Sequence, residues 1–311
     1  MKKTFLFLVI SILIAMCTQG AIAGELEPVA SSQVVRYGTL ESYPQFPSRV
    51  IEPRNVTVWL PQDYKLGEPC DVLYMHDGQM LFDATATWNK QEWQVDEVLG
   101  ALIAAGKARR CIVVGVDNTS NRLFDYFPTR CFEQVPREKR MDVDLTAFKG
   151  DEYLQFLVQE LKPFIDSHYR PLTSMEHTFV MGSSMGGLIS LYAMCEYPWV
   201  FGGAVCMSTH VSMMFPDPNF DSQAWSEGLR NYVEANMPNP GTHLLYMDRG
   251  SVELDDTYAQ AQSKMDAMLK KCGWNANHFV SRVFEGHKHM ETYWAERLDT
   301  PLLFILGKII N

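Results

Sequence analysis

The chain has 311 residues, 47% of them hydrophobic and 21% charged, with a formal net charge of −10 at pH 7. This is enough apolar material for a packed globular core, and it excludes a disordered or fibrous chain. The acidic balance, with no Lys/Arg cluster, makes nucleic acid and anionic membrane surfaces poor partners.

Residues 1–23 read as a secretory signal peptide. Lys2 and Lys3 precede an apolar run from Phe5 to Met16, and Ala21-Ile22-Ala23 supplies small residues for cleavage. The run is too short and wrongly flanked for a good transmembrane span. Bulky Met16 before Cys17 disfavours lipoprotein processing. Cleavage removes two lysines and no acids, so the net charge moves from −10 to −12. The expected product is a soluble periplasmic or secreted protein, one domain over residues 24–311, free of the membrane after cleavage. Cys70, Cys111, Cys131, Cys195, Cys206 and Cys272 remain, with no CxxC or Cys/His pair at zinc spacing. No metal or other cofactor is expected.

In chain order, Arg54–Leu60 alternates as a strand stopped by Pro61, and Asp71–His76 is a short apolar strand broken by Asp77-Gly78. Residues 91–105 have helical spacing. Cys111–Val116 is a continuous β-branched run of the kind buried in a parallel sheet. Residues 117–150 are an irregular, aromatic excursion, and 151–168 an amphipathic helix. Strand 177–181, helix Met185–Glu196 and strand Gly203–Met207 follow. Residues 208–240 look irregular, with four prolines and Trp225. Strand 243–248, helix 256–272, strand Phe279–Phe284 and a closing helix over 291–306 complete the chain. Strands alternating with helices predict a mostly parallel central sheet with helices on both faces. Ligands of such sheets bind beyond the carboxyl ends of the strands.

Gly182-Ser183-Ser184-Met185-Gly186 matches G-x-S-x-G, directly after a strand and directly before a helix, as a nucleophile elbow requires. The glycines are needed because a side chain on either flank of the strained turn would meet the neighbouring strand or helix. Ser184 is the candidate nucleophile; Ser183 is out of register and reads as packing. A plain strand–turn–helix junction with a capping serine is the bland alternative. A serine nucleophile needs a base, and the α/β-hydrolase order is Ser, acid, His. Position after the last strand leaves His287 and His289. Glu253, Asp255 and Asp256 all follow the preceding strand, although any one loop carboxylate is more often simply solvated. Two backbone N–H donors are needed for a developing oxyanion: one falls to Met185, the other to Gln79 in the loop after strand Asp71–His76.

These residues resemble the esterase D-like, or enterochelin esterase-like, branch of the α/β-hydrolases. Its members include enterochelin, feruloyl and acetylxylan esterases, S-formylglutathione hydrolases and mycolyltransferases. The likeness lies in Tyr74-Met75-His76-Asp77-Gly78-Gln79, in Arg122 with Asp125-Tyr126, and in Gly182–Gly187. It continues in Asp248-x-Gly250 with Leu254-Asp255, and in His289-Met290-Glu291 with Trp294. It spans roughly residues 50–308. Met80 and Asp125 depart from the residues the branch often carries there, Asn and Glu, and touch the pocket rather than the triad.

The resemblance implies a single α/β-hydrolase catalytic domain with Ser184 as nucleophile, His289 as base, and Gln79 and Met185 as oxyanion donors. His289 is chosen over His287 because it stands five residues before Trp294. Asp255, in the Leu-Asp pattern followed by Tyr258, is preferred as acid over Glu253, which matches the spacing of some feruloyl esterases. Arg122, Tyr126 and Trp88 are the expected substrate-binding residues. Packing is the alternative for each aromatic, including Trp93 and Trp225, and an ion pair with Asp125 is the alternative for Arg122. The expected substrate is a carbohydrate-linked, feruloyl/acetyl or siderophore ester, in that order. An acyltransferase on the same triad is one rival reading. A non-catalytic carbohydrate-binding protein on a hydrolase scaffold is the other. In this fold Cys70 and Cys111 open neighbouring parallel strands, and export leads to the expectation of a disulfide between them.

Overall fold

The structure is a computed structural model that describes residues 26–140, 145–214 and 221–308. The segment read as a signal peptide lies outside the described residues. Among the described residues nine strands form one sheet in the order β1-β2-β3-β5-β4-β6-β7-β8-β9. They are β1 (Val29–Ala30), β2 (Thr39–Phe46), β3 (Arg54–Leu60), β4 (Asp71–His76), β5 (Cys111–Val116), β6 (Thr178–Ser183), β7 (Gly203–Met207), β8 (Leu244–Gly250) and β9 (Phe279–Phe284). From β5 to β9 every pairing is parallel, while β1, β2 and β3 add an antiparallel edge. The strands that read as continuous apolar runs, β4 and β5, are buried along their whole length.

Helices cover both faces. On one side α1 (Val95–Ala104) and α6 (Asp299–Leu306) pack through Leu99, Leu302 and Ile305 against Leu73, Val113 and Met181. On the other lie α2 (Gly150–Gln155, Phe156–Leu161 and Lys162–Tyr169 in one run), α3 (Met185–Glu196), α4 (Ser222–Asn236) and α5 (Ala259–Lys271). Nearly every side chain of α3 is buried, so this helix is apolar all round rather than striped. The expected α/β-hydrolase architecture is therefore present.

Three local differences have physical causes. Strand β2 was not anticipated, because TLESYPQF mixes charge and proline; it is held by its pairing with β3. The proline-rich stretch 208–240 contains α4, which lies between the prolines and is capped by the Asp221 side chain accepting from Ala224 N at 3.0 Å. The closing helix breaks at Arg297–Leu298 into Glu291–Glu296 and α6.

The expected Cys70–Cys111 disulfide is absent, and both thiols are free and buried. The register explains why. Cys111 pairs with Asp71 across β4 and β5, so Cys70, one residue earlier, leaves the sheet on the opposite face. The two sulfurs belong to different core layers.

The chain runs from β4 outward to β5, then crosses back to place β6 on the other side of β4. This reversal opens a crevice over the carboxyl ends of β4 and β6.

Candidate active site

Ser184 follows β6 at φ 57°, ψ −121°, a conformation costly for a residue with a Cβ. Two backbone hydrogen bonds impose it. Ser184 N–H donates to Met207 O at 3.0 Å, and His210 N–H donates to Ser184 O at 3.2 Å. The flanking glycines are sterically required. A Cβ on Gly182 would lie 2.6 Å from the Gly186 backbone, and one on Gly187 would lie 2.6 Å from Thr209 Oγ1. The strain thus projects a half-buried serine at the crevice, while Ser183 is buried at the end of β6.

His289 enters from the loop after β9, and its Nδ1 meets Asp255 Oδ1 at 2.6 Å. Asp255 sits just past β8 with 0% exposure, and its Oδ2 accepts from Gly250 N–H and Ser208 Oγ–H, each at 2.6 Å. Burial alone would raise this carboxyl; the hydrogen bonds from His289, Ser208 and Gly250, with the imidazole's charge, outweigh it and hold the carboxyl below its ordinary value. Gly250 has no room for a side chain, since a Cβ there would lie 2.1 Å from His287 O. Of the other two candidate acids, Glu253 pairs with Lys288 at the surface, 2.6 Å away, and Asp256 is exposed. His287 turns away, packing on Tyr293 with ring centroids 5.0 Å apart.

Gln79 and Met185 follow the neighbouring parallel strands β4 and β6, so both lie at the same end of the sheet. Met185 opens α3 and Gln79 lies in the tight turn Gly78–Met80, so neither N–H has an acceptor within its own helix. The turn is clamped from three sides. Asp77 adopts φ 58°, and a Cβ on Gly78 would lie 2.6 Å from the Gly115 backbone. Arg122 donates to both Asp77 carboxylate oxygens, Nε to Oδ1 at 2.7 Å and Nη2 to Oδ2 at 2.8 Å, and Asn118 Nδ2 adds a third bond at 2.6 Å. Burial would raise the Asp77 carboxyl, but Arg122 and Asn118 bring it below its usual value.

The three expected substrate-binding residues separate. Arg122 pairs with Asp77 rather than Asp125, which instead meets Arg54 at 3.3 Å. Tyr126 has 0% exposure, packs at a tilt against the rings of His76 and Tyr153, and accepts from Asp77 N–H at 3.3 Å, so it props the turn from beneath. Trp88 is 82% exposed, on a loop tied to the segment after His289 by Asn89 Nδ2 donating to Glu291 Oε2 at 2.9 Å. Trp93 and Trp225 are core residues. The sequence offered Tyr258 only as part of the pattern after Asp255 and gave no place in the site to it or to His210. The Tyr258 hydroxyl bonds His210 Nδ1 at 2.8 Å and also engages Ser184, and its ring stands edge-on to His289 at 5.7 Å.

The buried carboxylate of Asp255 engages Nδ1 of His289 and leaves its Nε2 for another partner. With a serine on a strained elbow at the same edge of the sheet, such an arrangement is able to support acyl transfer. Among the described residues no cluster of His, Cys, Asp or Glu is arranged to hold a metal ion. Comparison with known proteins bears on the same chemistry. The uncharacterised protein YbbA of Bacillus subtilis (strain 168) is 22% identical over 266 residues, 82% of this chain and 93% of that protein. A solved ferulic acid esterase superposes with a TM-score of 0.63 at 19% identity, covering 87% of this chain and 99% of that one. The enterobactin esterase FES of Shigella flexneri gives a TM-score of 0.63 at 17% identity, covering 88% of this chain and 60% of that one. At such identities the structural likeness speaks for the fold. A family model described as "Putative esterase" matches residues 48–305, from just before β3 into α6 and across every site residue above. The chain therefore belongs to the putative esterase family and is a carboxylic ester hydrolase of the α/β-hydrolase fold.

Proposed function

We propose that the protein is an exported serine esterase working through Ser184, His289 and Asp255. The observation that carries this reading is the 2.6 Å bond between His289 Nδ1 and the buried Asp255, at the sheet edge where Ser184 is held on its elbow. In the proposed reaction His289 Nε2 takes the Ser184 hydroxyl proton as Oγ attacks the ester carbonyl. Asp255 fixes the tautomer and stabilises the imidazolium. The tetrahedral oxyanion accepts from the N–H groups of Gln79 and Met185. His289 returns the proton to the leaving alkoxide, giving the alcohol and an acyl-Ser184. Water, activated by the same imidazole, then releases the acid and restores the serine.

The substrate is proposed to be a carbohydrate-linked, feruloyl/acetyl or siderophore ester. The signal-peptide reading supports an extracytoplasmic ester, and the exposed Trp88 beside the site offers a face on which a sugar or phenolic ring could stack. The names of the ferulic acid and enterobactin esterases of like fold support the same range. The test is a screen of the protein from residue 24 onward on short p-nitrophenyl esters, feruloyl and acetyl sugars, and a catecholate trilactone. Hydrolysis of a sugar-linked or phenolic ester, lost in Ser184→Ala, is the expected result. Turnover only when an alcohol acceptor is added would favour the acyltransferase, and no turnover with retained sugar binding would favour the binding protein.

A further inference from the structure

Ser208, the residue immediately after β7, is fully buried at φ 41°, a left-handed conformation unfavourable for serine. Its hydroxyl sits among three polar groups. It receives Trp294 Nε1–H at 3.0 Å and Arg297 Nη2–H at 2.8 Å, and lies 2.6 Å from Asp255 Oδ2. Indole and guanidinium only donate, so they occupy both lone pairs of Oγ. The single hydroxyl proton then has one acceptor, Asp255. Arg297 is itself anchored by buried Asp248, Nη2 to Oδ1 at 3.0 Å and Nε to Oδ2 at 3.2 Å, and Ser208 N–H donates to the same Oδ1 at 3.1 Å.

We propose that Ser208, locked by Arg297 and Trp294, is a positioning residue that fixes which oxygen of Asp255 faces His289. This rests on the triad reading above. With Oδ2 engaged by Ser208 and Gly250, rotation of the carboxylate breaks two hydrogen bonds. Oδ1 is therefore kept for the imidazole, and the ring plane is set. Trp294 acts at both points, since its ring also stands edge-on to His289 at 5.1 Å. Ser208 cannot touch a substrate, because it is buried beneath the pair it orients.

The test is steady-state kinetics of Ser208→Ala across pH on a short p-nitrophenyl ester. The titratable and charged groups around the Asp255–His289 pair are Arg297, which bonds Ser208, Asp248 of β8, Tyr258 ahead of α5, and His210 after β7. Removing the hydroxyl takes away one donor to the carboxylate, so the Asp255–His289 pair takes up its proton at a higher pH. We expect kcat to fall about tenfold to a hundredfold, KM to stay within about twofold, and the acid limb of the profile to move upward. Ser208→Gly, which relieves the left-handed strain, carries the same expectation and separates the hydroxyl from folding effects. A normal kcat with an unmoved acid limb in both variants overturns the inference, as does a rise in KM alone. Ser184→Ala runs beside them. If it is inactive while the Ser208 variants are normal, only the positioning role fails; if it turns over normally, the triad reading fails with it.

Discussion

Asp255 and His289 lie 34 residues apart in the chain and meet at 2.6 Å, the carboxylate sealed at 0% side-chain exposure and the imidazole reaching 14%. A dry acid and an accessible base are what the proposed proton transfer needs, because the low-dielectric side strengthens the charge interaction while the other side meets substrate. Asp255→Asn keeps the shape but removes the charge that stabilises the imidazolium. We expect kcat to fall roughly 10³–10⁴-fold with the fold intact by circular dichroism. Glu253→Gln, altered only at a surface ion pair, should stay within about twofold. The reverse pattern in kcat would make Glu253 the acid.

The Asp77–Arg122 clamp predicts an acid-sensitive stability. The folded Asp77 carboxyl is held below its ordinary value, so its stabilisation is complete above the unfolded value of about 3.9 and is lost as pH falls below it. Asp77→Asn should lower stability near neutral pH toward the lower end of about 3–5 kcal/mol, since Arg122 keeps 30% exposure. Thermal melts should show the variant losing less further stability than wild type on acidification. Parallel Tm curves from pH 7 to pH 3 would contradict the clamp.

Much of this was legible in the sequence because the signals were local. Strands β3, β4, β5, β7 and β9 and helix α3 were read to the residue, since alternating or continuous apolar patterns end at breakers such as Pro61 and Asp77-Gly78 or begin at the G-x-S-x-G turn. Ser184, Asp255 and His289 were named from motif order and family pattern. What was not legible depends on contacts distant in sequence. Ser208 has no motif, and its role comes from Trp294, Arg297 and Asp255 converging on it. His210 and Tyr258 likewise meet only in the fold, although Tyr258 marked the pattern after Asp255. Tyr126 was misread as a ligand contact because burial under the Asp77 turn leaves no trace in sequence, and the disulfide failed on a one-residue register.

The elbow's glycines predict a steep steric penalty. Gly182→Ala would push a methyl to 2.6 Å from the Gly186 backbone, which side-chain motion cannot relieve. We expect a loss of about 1–3 kcal/mol, read as a lower denaturant midpoint, together with a kcat loss as Ser184 shifts. An unchanged midpoint and kcat would mean that the turn is looser than described.

Trp88 tests the substrate side. At 82% exposure its ring contributes little to the core. Trp88→Ala should therefore keep Tm and the kcat for p-nitrophenyl acetate while raising KM several-fold, on the order of 1 kcal/mol, for a feruloyl or sugar-linked ester. Equal KM for both substrate types would remove Trp88 from the binding surface.

The central claim, that Ser184 carries the acyl group, is tested most directly by trapping the intermediate. The protein is incubated with a slowly hydrolysed ester or an aryl phosphonate, quenched in acid, and mapped by peptide mass spectrometry. The account predicts one adduct, on Ser184, absent in Ser184→Ala together with turnover. An adduct on another residue, or wild-type turnover by Ser184→Ala, would contradict it.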